Sequence, residues 1–70
     1  MGKALFSFFE ILIMEEVARI VDEARKTSTT LSTSSVLARI AETYPDIKVA
    51  EEEVVLEAVM VAERAGVAIT

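Results

Sequence analysis

From Ala4 to Met14 almost every position is apolar, whereas from Glu15 to Lys26 apolar and charged residues alternate with helical spacing. No Gly or Pro interrupts Lys3 to Lys26, and Arg25 and Lys26 fall where cations complement a helix C-terminus, so one helix is predicted over 3–26. At about 100° per residue, Phe6, Phe9, Ile13, Val17, Ile20 and Ala24 form one stripe, the face expected to meet the core. The opposite side changes character along its length. It carries Glu15, Glu16, Arg19, Asp22 and Glu23 in the second half, but Leu5, Phe8, Ile11 and Leu12 in the first.

The segment TSTTLSTSS, Thr27 to Ser35, supplies hydroxyls that compete with a helical backbone for its hydrogen bonds and predicts a loop over 27–34. Ser34 or a neighbouring hydroxyl can cap a second helix, over 35–44, whose apolar residues Val36, Leu37, Ile40, Ala41 and Tyr44 share a face. Pro45 ends it, because the residue before proline is pushed out of the helical region. A third helix follows over 50–65. Glu51, Glu52 and Glu53 stand at its positive end, Gly66 sits where a terminating Gly belongs, and its first residues offer no side-chain cap. Val54, Ala58, Val61, Ala62 and Ala65 form its core stripe. The β-branched tail after Gly66 is expected to be extended, covering the bundle end or pairing with another short strand. Residues 1–70 therefore read as a single all-α domain: a three-helix bundle with a long N-terminal helix and helix-turn-helix-like second and third helices.

A helix that is apolar all round must be covered all round, and two neighbouring helices cover one side only. Burying Leu5, Phe8, Ile11 and Leu12, at roughly 1.5–3 kcal/mol each, supplies on the order of 6–12 kcal/mol per chain. That is comparable with the cost of association, about 4–15 kcal/mol, and a two-fold dimer contributes the patch twice. Self-association, as a dimer, is the expected outcome. The alternatives are that the tail, the Ser/Thr loop or a bend covers the patch, or that it lies on a membrane surface. The second is disfavoured by Lys3 being the one base beside it. On the third helix Leu56 and Met60, one turn apart among Glu52, Glu53, Glu57, Glu63 and Arg64, form a second candidate contact point, where a flexible Met suits an adaptable surface.

Composition sharpens the need for a partner. A chain of 70 residues without Cys or His has neither disulfides nor soft metal ligands to support a small core, yet 53% of it is hydrophobic. The net charge of −5 repels phosphates and anionic membrane surfaces alike, which argues against nucleic acid as a partner. Lys3 followed by an apolar run imitates a secretory signal, but Glu10 interrupts it and no small-residue cleavage site follows. The run is also shorter than the ~20 apolar residues of a membrane span, so a cytoplasmic protein is expected.

The absence of His and Cys removes the commonest general base and the thiol nucleophile, so no enzyme is expected. Adjacent acids such as Glu15 and Glu16 diverge on a helix, and Glu53 with Glu57 reads as solvated surface. No calcium-loop pattern or phosphate loop is present, and neither metal nor cofactor is expected. In size and charge the chain resembles an acyl carrier protein, but no Asp-Ser-Leu precedes a helix to carry a prosthetic arm.

Ser34 to Ile69, helix, short turn, helix, then Gly-Val-Ala-Ile, resembles the helix-turn-helix and first returning strand of a winged-helix domain. That likeness implies a DNA-binding transcriptional regulator as the alternative function. The helix that would enter the groove opens on Glu51, Glu52 and Glu53, and Arg39, Lys48 and Arg64 make no basic stripe. The leading expectation is a non-enzymatic protein-protein interaction or regulatory module, acting as a helical homo-oligomer, with another protein as the further candidate partner. Leu5, Phe8, Ile11, Leu12, Leu56 and Met60 are its candidate interface residues.

Overall fold

A computed structural model describes residues 8–46 and 48–70. They form three helices packed as a small all-α bundle: α1 (Phe8–Thr27), α2 (Thr33–Thr43) and α3 (Glu51–Ala65). The expected first turn of α1, Leu5 and Phe6 included, lies outside the described residues.

Both long helices end in the same way, on different residues. After α3, Gly66 takes a left-handed φ of 74°; its N–H donates to Glu63 O, and the N–H of Val67 donates to Ala62 O at 2.8 Å. After α1, Ser28 takes a φ of 55°; its N–H donates to Arg25 O at 3.3 Å, and that of Thr29 donates to Ala24 O at 2.9 Å. This paired bonding satisfies the last carbonyls and reverses the chain. At Ser28 it places a side chain in a region that residues other than Gly occupy at a cost.

Of the hydroxyls that could cap α2, Ser32 does so rather than Ser34, and the helix begins two residues earlier than its spacing suggested. Ser32 Oγ accepts from the N–H of Ser35 at 3.1 Å, and Ser35 Oγ donates back to Ser32 O at 3.2 Å. Tyr44, just before Pro45, leaves helical geometry and closes α2 with its N–H donating to Ile40 O. Ala50 precedes α3 without any side-chain cap, leaving the three glutamates to meet its positive end.

The core consists of Ile13, Val17, Ile20, Val21 and Ala24 from α1, Val36 and Ile40 from α2, Val54, Ala58 and Ala62 from α3, and Val67. The tail folds back beside the Ser/Thr segment. Leu31 and Ile69 form an isolated parallel bridge, with Leu31 N–H donating to Ala68 O at 2.9 Å and Thr70 N–H to Leu31 O at 3.0 Å. This pairing closes the bundle near the C-terminal end of α1, leaving the N-terminal end to the α2–α3 connection.

Candidate protein-interaction site

Among the described residues of α1, none before Ile13 is buried. At about 1.5 Å per residue the 20-residue α1 is roughly 30 Å long and the 15-residue α3 roughly 22 Å. The first turns of α1 therefore lack a full set of neighbours, and their side chains stay in solvent. Phe8 is 69% exposed, and Ile11 is exposed beside it. Leu12 is half-buried. Of the four residues expected on this face, the structure brings Phe8, Ile11 and Leu12 together, and Leu5 lies outside the described residues. Neither the Ser/Thr segment nor the tail covers them, since both are bonded to each other beyond the opposite end of α1.

Phe9 is a correction to the sequence reading. It lies on the core stripe by angle but is 52% exposed, at the rim of a groove rather than in the core. Its ring meets that of Phe8 edge-on, with centroids 6.0 Å apart, so the two aromatics continue one apolar surface around the helix. Met14 is exposed on the other flank. Phe9 and Met14 thus join the candidate surface, and the available signal was length: α1 outruns the helix it packs on.

From Phe9 and Met14 the surface falls into a groove between α1 and α3, with a volume of about 650 Å³. Its floor is apolar, from Ile13 and Val17 on one side and Val49 and Val54 on the other. Its edges are polar, with Glu10, Glu53, Glu57 and Lys48. A smaller hollow on the other side of α3 is lined by Leu37, Val55, Leu56 and Val59 with Glu51 and Glu52. Leu56, 61% exposed, belongs to that hollow, and Met60 is exposed one turn further along. Leu56 and Met60 are therefore not part of the α1 surface.

The second half of α1 is polar wherever it is exposed, apart from Ala18, and ties its charges to one another. Asp22 pairs with Arg25 at 2.7 Å and Lys26 at 3.2 Å; chiefly the Arg25 hydrogen bond, then that of Lys26, holds its carboxyl below the usual value. Glu23 reaches Arg39 of α2 at 3.4 Å. Glu16 overturns its assignment to the solvent face: only 4% exposed, it accepts from Arg19 one turn on. A buried carboxylate needs such a partner, and Arg19 keeps its own head largely in solvent.

No three acidic side chains among the described residues are placed to hold a metal ion. No described helix is long and apolar enough to cross a membrane. The arrangement offers apolar area, a groove and edge charges. Comparisons with protein families, curated proteins and solved structures return no match to this chain.

Proposed function

We propose that this protein is a non-enzymatic, cytoplasmic interaction module that self-associates, as a dimer, through the N-terminal half of α1. The observation that carries this reading is the exposure of Phe8, Ile11 and their flanking residues Phe9 and Met14 on a helix whose following turns are polar outside apart from Ala18. With roughly 150–250 Å² per aromatic side chain, these four residues leave on the order of 400 Å² of apolar surface in water. That falls within the roughly 300–600 Å² of the largest patch on a typical monomer, a patch that is often functional. It is about half of the ~800 Å² that each partner contributes to a stable interface.

A two-fold axis across this face lets each protomer cover the other's patch with the same residues. Regulation or assembly would follow from the state of association. The DNA-binding alternative is disfavoured because the first turn of α3, which would face the bases, exposes Glu51, Glu52 and Glu53. Sedimentation equilibrium of the wild type and of F8D/L12D tests the proposal. The expected result is a concentration-dependent approach to twice the chain mass that the double variant loses while its far-UV spectrum stays helical. A wild type that remains monomeric at high concentration, or a variant that keeps the dimer mass, would overturn it.

A further inference from the structure

We propose that the groove between α1 and α3 is a docking site for a short amphipathic helix of a second protein, one that carries lysine or arginine beside its apolar anchors. The floor of the groove lies around α1 from Phe8, Ile11 and Leu12, so it is distinct from the proposed self-association face, and the two surfaces share Phe9 and Met14 at their border. Its floor runs along α1 from Phe9 to Val17, about 12 Å, or a little over two helical turns. An incoming helix would seat two or three apolar side chains there at i, i+3 or i+4, and i+7. Phe9 and Met14 form the lips, the Met adapting to differently shaped anchors.

Charge selects the sign of the occupant. The edges carry three carboxylates, Glu10, Glu53 and Glu57, against the amine of Lys48. The helix-forming run at Glu51 and Glu52 adds further negative potential along the same end of α3. An apolar helix flanked by bases would be drawn in and held in register by these groups, and an acidic one repelled. The interaction would weaken with salt, since the edge charges are solvent-accessible.

The test uses the full chain and a synthetic helical peptide of Leu and Lys at amphipathic spacing, with a Glu-for-Lys peptide and a scrambled Leu/Lys peptide as controls. The Leu/Lys peptide is expected to bind, shifting the methyl resonances of Ile13, Val49 and Val54. E53Q/E57Q should weaken it about tenfold, while E51Q/E52Q, an equal change of net charge across α3, leaves it within about twofold. If E53Q/E57Q loses helicity, Lys48→Glu provides the second reading and is expected to tighten binding. Equal binding of either control peptide, equal losses in the two charge variants, or shifts confined to Ile11 and Leu12 or to Leu56 would overturn the proposal. So would movement of the Val49 and Val54 methyls on dilution of the protein alone, which would make a second copy the occupant.

Discussion

Between Phe8 and Met14, α1 leaves Phe8, Phe9, Ile11 and Met14 exposed, whereas between Glu15 and Thr27 its exposed positions are charged, Thr or Ala. The two halves belong to one uninterrupted helix, so local propensity does not separate them. The difference lies in what each half packs against. The second half is wedged between α2 and α3 and buries Glu16, Val17, Ile20, Val21 and Ala24, with its outer face held by short-range ion pairs. In the first half only Ile13 is buried, and the outer turns overhang. A polar overhang would end in water at no cost; an apolar one loses the hydrophobic free energy of every side chain left uncovered. Sequence character and tertiary support thus change at almost the same residue, and the proposed association surface rests on that coincidence.

The comparison can be broken from either half. Ile20→Ala, in the supported half, should cost about 2–5 kcal/mol of unfolding free energy by removing a fully enclosed side chain, measurable by denaturant melts. Ile11→Ala removes similar atoms from the overhang. It should leave the isolated chain's stability within about 0.5 kcal/mol while weakening self-association by on the order of 1–2 kcal/mol, seen as a shift in the monomer-dimer midpoint. Equal losses of monomer stability at both positions would erase the distinction between the halves.

Smaller effects probe the ends that fix the helix in place. Ser28→Gly should stabilise by about 1 kcal/mol, relieving a left-handed residue in the turn that Gly66 makes after α3 without strain. Ala50→Ser should add about 1 kcal/mol by supplying the missing cap of α3; no rise in melting temperature would place the start of that helix elsewhere. The pH effect is smallest. Asp22 binds its proton less readily in the folded chain than unfolded, so its contribution is present above the ordinary carboxylate value, 3.8, and lost as pH falls through the lower folded value. Asp22→Asn should flatten the acid limb of stability slightly, and an unchanged limb would show that these exposed pairs contribute nothing.

The helical pattern made the three helices legible because their punctuation is strong: hydroxyls before α2, Pro45 after it, and three glutamates and Gly66 around α3. It also placed Phe8, Ile11 and Leu12 on a shared face away from the core. What it missed depends on neighbours distant in sequence. Phe9 has the right angle for the core, but whether anything stands opposite it is set by how far α3 extends. Glu16 lies at the edge of the buried stripe, where polarity suggested solvent and Arg19 one turn away was the only sign that burial could be tolerated. Ser32 was indistinguishable by type from the hydroxyls around it, and although pairing of the extended tail with another short strand was legible, no local pattern named Leu31 as the partner of Ile69.

The most direct test of the association surface is an isotope-filtered nuclear Overhauser measurement on a mixture of labelled and unlabelled chains. The account predicts intermolecular contacts between the Phe8 ring of one protomer and the Ile11 and Leu12 methyls of its partner. Intermolecular contacts that instead join α2 or α3 across the interface, or no such contacts at a concentration where the wild type has its full solution mass, would contradict it.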